Sequence, residues 1–207
     1  MILKAKHNFI IYPFFKRYSV WLIKRNFSSI RVIGDFHEQN LPVLLISNHI
    51  SWWDGFWAMY LTVTILKRKF HFMMLEEQLR RRILFNYTGG FSINKNKKSM
   101  FETINYTSDL LNNSKNMVLL FPQGEIQTMH KQNFQFQNGI ERILKDKADK
   151  VQIVFMANLV EYFSSSKPGI YIYIEEYKDP VNKPGNLQNC YSEFYKQCVE
   201  NQKKLNN

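Results

Sequence analysis

The stretch VLLISNHISWWD, residues 43–54, joins an apolar run to a short polar loop and then to the start of a helical pattern. The apolar run at 43–47 has the length of a buried strand. His49 therefore lies just past a predicted strand end, and Asp54 lies in the first turn of a predicted helix. In open α/β sheets, ligands bind beyond the carboxyl ends of strands. The stretch thus predicts a strand–loop–helix unit with a candidate site in its loop.

Strand-like and helix-like runs alternate along the rest of the chain. Further strand-like runs lie at 29–33, 71–75, 91–93, 117–121, 151–156 and 169–177. Helix-like runs lie at 52–66, 76–85, 97–113, 139–146 and 187–203. With 207 residues, enough for one ordinary domain, this alternation predicts an α/β fold. We expect a single-domain αβ sandwich whose central, mostly parallel or mixed sheet is flanked by helices.

An additional helix is predicted over residues 8–27. On a helical projection, one arc carries Ile11, Phe14, Phe15, Tyr18, Trp21 and Leu22, and another carries Lys16, Arg17 and Lys24. Such a helix suits the headgroup region of a bilayer. Residues 1–28 are therefore predicted to form an amphipathic membrane-associating helix ahead of a domain at 29–207. The alternative is a core helix with solvated lysines.

The composition indicates a folded and strongly basic protein, with 45% hydrophobic residues and a formal net charge of +11. Such a charge suits nucleic acid, an anionic membrane or phosphate-bearing small molecules. The apolar stretches are far shorter than the roughly 20 residues that a membrane span requires, and no signal peptide is evident. The two cysteines, Cys190 and Cys198, cannot complete a zinc site, and no metal is predicted.

His49 and Asp54 are residue types that general-base chemistry uses. An aspartate that accepts one imidazole N–H fixes the tautomer, and the other ring nitrogen can then take a proton from a hydroxyl. Side chains five positions apart on one continuous helix would diverge by ~140°, so this chemistry needs a loop between the two residues. The structural alternative is a helix cap, with Ser51 as the N-cap and Asp54 at the positive helix end.

The full string Asn48-His49-x-Ser51-x-x-Asp54 resembles the signature of the glycerolipid acyltransferase family, whose members act on 1-acylglycerol-3-phosphate and other lysophospholipids. The resemblance implies that a fatty acyl group moves from acyl-CoA or acyl carrier protein to a lipid hydroxyl. His49 would deprotonate that hydroxyl and Asp54 would orient His49. Asn48 and Ser51 would contact substrate. No cofactor is implied, since the acyl thioester is a co-substrate.

Two further blocks of that family have counterparts that keep only part of the pattern. GGFSINK at 89–95 stands where the second block is expected, with Lys95 in place of the family arginine. The run at 151–157 stands in place of the fourth block and keeps its strand without its prolines. The resemblance implies that Lys95 contacts substrate.

The third block of the family has its counterpart in FPQGEIQ at 121–127. The matching positions are Phe121, Pro122 and Gly124, and the departures are Gln123, Glu125 and Ile126. The proline and the glycine predict a tight turn that presents polar side chains at a strand end. The resemblance implies substrate contacts for Phe121, Pro122, Gln123, Gly124 and Glu125.

The departures bear on the acceptor lipid. In the family, arginines of the second and third blocks are thought to hold the acceptor phosphate, and this chain has Lys95 and Ile126 there. Lysine offers phosphate a single charged amine instead of the bidentate guanidinium of arginine, and isoleucine offers neither charge nor hydrogen bond. Glu125 would repel phosphate. Lysophosphatidate is therefore the family default, and a non-phosphate polar lipid, such as a glycolipid or an aminoacyl lipid, is the alternative.

A rival interpretation from another class is a non-catalytic basic protein that binds membranes or nucleic acid. The charge supports it, but no glycine-rich phosphate loop, helix-turn-helix signal or zinc pattern does. The expected partners are therefore membrane lipids and acyl-CoA or acyl carrier protein, without nucleic acid. We expect a cytoplasmic protein held peripherally on the cytoplasmic face of the membrane. The sequence does not indicate an oligomeric state.

Overall fold

The computed structural model describes residues 2–94, 97–147, 149–178 and 186–205. Within these ranges the strands are β1 (Ser29–Ile33), β2 (Val43–Ser47), β3 (Lys69–Leu75), β4 (Gly90–Ile93), β5 (Asn116–Leu120), β6 (Gln152–Glu161) and β7 (Gly169–Glu176). They form one sheet in the order β1-β7-β6-β2-β5-β3-β4. Neighbouring strands are parallel except β6 and β7, which are antiparallel. The predicted mixed sheet is confirmed.

Helices cover both faces of the sheet. Their bounds are α1 (Ile11–Asn26), α2 (Asp54–Leu61), α3 (Glu76–Arg81), α4 (Lys97–Leu110), α5 (Ile140–Ile143) and α6 (Asn186–Lys203). Successive side chains of β2 point to opposite faces, so Leu44 and Ile46 pack with α4, α5 and α6. Val43 and Leu45 pack with α1 and α2 on the other face. These two cores make the predicted αβ sandwich.

Several predicted bounds differ from the observed ones. The helix predicted at 52–66 begins at Asp54 and continues as a π-helix over Thr62–Leu66, where the Lys67 amide donates to the Thr62 carbonyl. The helix predicted at 76–85 breaks into α3 and a 3₁₀ turn, Ile83–Phe85. The break lets the Phe85 ring pack against Phe15 and Phe72, a tertiary contact that local periodicity does not encode.

The N-terminal segment is hydrogen-bonded to strand β4. The Leu3 amide donates to the Ser92 hydroxyl and the Ser92 amide donates to the Leu3 carbonyl. Helix α1 packs against α2 and buries Ser19 and Ile23. Among the helices of the described ranges, none is long and apolar enough to cross a membrane. The predicted boundary at residue 28 and the predicted membrane association of α1 stay predictions.

Candidate active site

The loop from β2 to α2 brings His49 and Asp54 together. The Nδ1 atom of His49 lies 2.6 Å from Oδ2 of Asp54. The carboxylate is fully buried, whereas the imidazole keeps 25% of its side-chain surface exposed. The pair therefore has a buried orienting group and an accessible ring, the arrangement that the sequence predicts for a general base.

Asp54 is held as a hydrogen-bond acceptor. Its Oδ2 also accepts the main-chain amides of Ile50 at 2.8 Å and Ser51 at 2.9 Å. Burial raises the pKa of Asp54, while the hydrogen bonds from His49, Ser51 and Ile50 oppose that shift. The carboxylate also lies in the first turn of α2, where the helix dipole favours negative charge.

These contacts determine the tautomer of His49. Because Oδ2 of Asp54 already accepts two amide hydrogens, Nδ1 of His49 is the donor to it. The Nε2 atom then carries a lone pair, and it has no hydrogen-bond partner among the described residues. The ring stacks on Phe121 with centroids 4.2 Å apart and planes 12° apart. His49 can therefore accept a proton at Nε2.

The contact of Asp54 with His49 and its contacts with the residues before α2 coexist in this loop. The N-cap residue of α2 is Trp53, so Ser51 lies two residues before the observed N-cap position. The Ser51 hydroxyl nevertheless accepts the Trp53 amide, and Asp54 accepts the Ser51 amide. The second of these bonds is one half of a capping box, whereas the Ser51 hydroxyl accepts the amide two residues on instead of the amide of Asp54. Because the same carboxylate oxygen also meets His49, capping holds Asp54 in place for the imidazole.

Asn48 connects the loop between β2 and α2 to strand β6 by two hydrogen bonds. Its side chain is fully buried, donates to the Asn158 carbonyl at 3.0 Å and accepts the Asn158 amide at 2.8 Å. Asn158 belongs to β6, the strand predicted as the fourth block. The Asn48 side chain therefore faces strand β6, which provides both of its hydrogen-bond partners, and does not face the open side of the loop.

The loop after β5 forms the other wall of the site. The Gly124 amide donates to the Phe121 carbonyl, which closes the predicted tight turn. Gly124 has a φ of +74°, a conformation that glycine adopts without strain. Pro122 is buried, and its carbonyl accepts the amide of Gln137. The turn therefore carries polar side chains past the end of the strand, next to His49.

Gln123 is buried, with 3% of its surface exposed, and contacts the loop between β2 and α2 directly. Its Oε1 accepts the main-chain amide of His49 at 2.7 Å, and its Nε2 donates to Oε1 of Gln127 at 2.7 Å. The Gln127 amide in turn donates to the His49 carbonyl at 2.8 Å. Sequence reasoning missed Gln127, because its role depends on a partner from another strand end.

The open side of the site is formed by different residues. Glu125 is exposed and accepts a hydrogen bond from Gln127, and Ile126 keeps 57% of its surface exposed. Trp52, in the catalytic loop, is 55% exposed. Lys95 lies outside the described residues. Among the described residues, no group of three metal-binding side chains lies together.

The comparisons with known proteins agree with this fold and motif. A family model described as Acyltransferase matches residues 29–158. The chain is similar in structure to the 1-acyl-sn-glycerophosphate (LPA) acyltransferase PlsC from Thermotoga maritima, with a TM-score of 0.61 and 16% identity, over 95% of this chain and 80% of that chain. A search of curated proteins finds no significant match. The family match covers more than half of the chain and contains the His49 and Asp54 pair, so the protein belongs to the acyltransferase family and is an acyltransferase.

Proposed function

We propose that the protein transfers a fatty acyl group from an acyl thioester, acyl-CoA or acyl carrier protein, to a hydroxyl of a membrane lipid. His49 is the general base and Asp54 orients it. The observation that carries this proposal is the contact of His49 Nδ1 with a buried carboxylate that already accepts two amides. That contact leaves Nε2 ready for a hydroxyl proton.

The proposed reaction needs neither an acyl-enzyme nor a metal. Nε2 of His49 takes the proton of the acceptor hydroxyl while the hydroxyl oxygen attacks the thioester carbon. The carbon–sulfur bond then breaks, the ester remains on the acceptor, and the imidazolium returns the proton to the leaving thiolate. Asp54 stabilises the imidazolium between these steps because its negative charge lies 2.6 Å from the ring.

A continuous line of aromatic rings supports the proposed peripheral membrane association. The ring of Trp52 lies 4.7 Å from Phe56, Phe56 lies 5.8 Å from Phe15, and Phe15 lies 6.5 Å from Tyr18. Tyr18 lies 5.9 Å from Trp21 of α1. The line connects the loop of His49 and Asp54 with the exposed side of α1, and its two ends, Trp52 and Trp21, are 55% and 51% exposed, so both ends can contact a bilayer.

The exposed side of α1 and the segment before it have the composition of an interfacial surface. Phe9, Ile10 and Phe14 expose 84%, 64% and 66% of their surfaces. A groove next to them is lined by Pro13, Lys16, Arg17, Val20, Trp21, Lys24 and Val63. Aromatic and apolar groups with basic side chains at their edge suit anionic headgroups, as on a cytoplasmic leaflet.

The acceptor proposed first is a lysophosphatidate-type lipid, which the resemblance implies and which is the substrate class that the name of the similar Thermotoga protein states. One observation favours a second candidate. Glu125 and Ile126 are exposed and lie between Gln123 and Gln127, which both bond the His49 backbone, and they offer a carboxylate and an apolar group where phosphate recognition would require cations. A polar acceptor without phosphate, such as a glycolipid or an aminoacyl lipid, suits these two residues.

The test is transfer of a labelled acyl chain from acyl-CoA or acyl carrier protein to a panel of lysolipids in mixed vesicles. His49→Ala should lower kcat by about 10²- to 10⁴-fold, the contribution of a general base. The matched control is His37→Ala, because His37 is 78% exposed and pairs with Glu176 away from His49. Equal turnover by His49→Ala contradicts the mechanism. Salt-sensitive nucleic-acid binding without transfer to any acceptor supports the non-catalytic alternative.

A further inference from the structure

The main-chain amide of His49 starts a chain of hydrogen bonds that ends on an exposed carboxylate. It donates to Oε1 of Gln123 at 2.7 Å, and Nε2 of Gln123 donates to Oε1 of Gln127 at 2.7 Å. Nε2 of Gln127 then donates to Oε1 of Glu125 at 2.9 Å. Three side chains of one loop are thus connected in series to the backbone of the catalytic residue.

The direction of every bond in this series follows from the first one. A backbone amide can only donate, so Gln123 must present its oxygen to His49 and its NH₂ group to Gln127. Gln127 must then present its oxygen to Gln123 and its NH₂ group outward. Only an acceptor can end the series, and Glu125, as a carboxylate, is an acceptor. The orientation of both amides is therefore set by chemistry.

The same loop also holds the other main-chain group of His49. The Gln127 amide donates to the His49 carbonyl at 2.8 Å, while the His49 amide donates to Gln123. Gln123 is buried, so an unsatisfied amide at His49 would be costly. The His49 backbone is consequently held on both sides, and the 2.6 Å contact of its ring with Asp54 depends on where that backbone lies.

We propose that Gln123 and Gln127 are positioning residues for the acyl-transfer step, and that Glu125 completes their hydrogen-bond series. This inference rests on the proposed role of His49 as the general base. Gln123 acts through the His49 backbone, and Gln127 acts through both Gln123 and the His49 carbonyl. Small displacements of a catalytic group, on the order of 1 Å, can cost up to about 10²-fold in rate, so loss of this support should appear in kcat.

The first experiment removes the acceptor for the His49 amide. Gln123→Met keeps the side-chain length but offers no oxygen, and kcat should fall by roughly 10- to 100-fold with little change in KM for the acyl donor. The matched control is Gln152→Met. Gln152 is also buried, at 4% exposure, and donates to a backbone carbonyl, that of His37, at the start of β6. The control also removes a buried bond to the backbone, so it should lower the melting temperature, and it should leave kcat within about threefold because it does not touch His49.

The second experiment tests the direction of the series by rescue. Gln127→Glu places a carboxylate opposite Glu125, and the repulsion should lower kcat by about three- to tenfold. The double variant Glu125→Gln/Gln127→Glu restores an acceptor for Gln123 and a donor at position 125. Its kcat, measured at saturating acceptor, should rise above that of Gln127→Glu, because every hydrogen bond is again satisfied.

The outcomes separate this inference from the proposed function. Absence of transfer by the unmodified protein, or full turnover by His49→Ala, overturns both. If His49→Ala is inactive but Gln123→Met keeps full kcat while folded, only the positioning role is wrong. If Gln127→Glu lowers kcat and the double variant lowers it further, the proposed direction of the series is wrong. Lowered kcat in Gln123→Met with rescue in the double variant supports the whole proposal.

Discussion

The buried and the exposed residues of the candidate site differ sharply. Asp54 is fully buried and its Oδ2 accepts three hydrogen bonds. By contrast, Trp52 of the same loop and Glu125 and Ile126 of the loop after β5 are exposed. The buried Asp54 and its partner His49 keep the family motif, whereas the exposed Glu125 and Ile126 depart from it, as does the buried Gln123. If His49 acts as proposed, proton transfer needs one geometry while acceptor recognition changes with the lipid, so we expect the buried and the exposed residues to tolerate substitution differently.

The largest effect is expected on the buried side. Asp54→Asn keeps the size of the side chain but loses the charge that stabilises the imidazolium, and its NH₂ group cannot accept the amides of Ile50 and Ser51. We expect kcat to fall by about 10²- to 10⁴-fold, measured by transfer of a labelled acyl group. Asp35→Asn is the control, because Asp35 is exposed and distant in sequence from the motif. Retention of more than a tenth of the activity would contradict the role of Asp54.

A smaller effect is expected when the exposed surface of α1 is made polar. Phe14→Ser/Trp21→Ser should weaken binding to anionic vesicles by at least about tenfold, because about 1.4 kcal/mol of lost apolar burial corresponds to that factor. Vesicle sedimentation measures the bound fraction. The control is Tyr162→Ser/Phe163→Ser, which removes exposed aromatic residues from the connection between β6 and β7. Equal binding by both double variants would show that α1 is not the membrane surface.

The smallest effect is expected at the exposed side of the site. Ile126→Arg provides a guanidinium fork for phosphate, and it should raise kcat/KM for lysophosphatidate relative to a neutral lysolipid by about five- to tenfold. The gain is limited because position 126 is exposed and water screens the charge. Ile126→Gln is the uncharged control. An unchanged preference in the arginine variant would place acceptor recognition elsewhere.

Local patterns predicted the strands well where the chain is continuously apolar. The bounds of β2 agree with the prediction, because an unbroken run of apolar residues is typical of a central strand in this class of fold. The bounds of β1 also agree, although Ser29 and Arg31 interrupt its apolar residues. Strand β3 begins at Lys69, two residues earlier than predicted. Its first residues pair with Asn116 and Met117 of β5, and pairing with another strand cannot be seen in the periodicity of β3 itself.

The candidate site was predictable in the part whose residues are close in sequence. His49 and Asp54 lie in one loop, so their contact follows from the motif. Asn48 was assigned to substrate, yet it bonds Asn158, 110 residues away. The break of the helix after Arg81 and the contacts of Gln127 were not predicted either. Each depends on side chains that only the folded chain brings near.

The sequence by itself determined the α/β class, the strand–loop–helix unit and the pairing of His49 with Asp54, because these depend on hydrophobic periodicity and on neighbours within one loop. Only the tertiary structure decided which nitrogen of His49 is free, which side of the loop Asn48 faces, and how Gln123 and Gln127 hold the catalytic backbone. These features are hydrogen bonds between distant segments. Their donors and acceptors acquire partners only when the carboxyl ends of β2, β5 and β6 meet at one edge of the sheet.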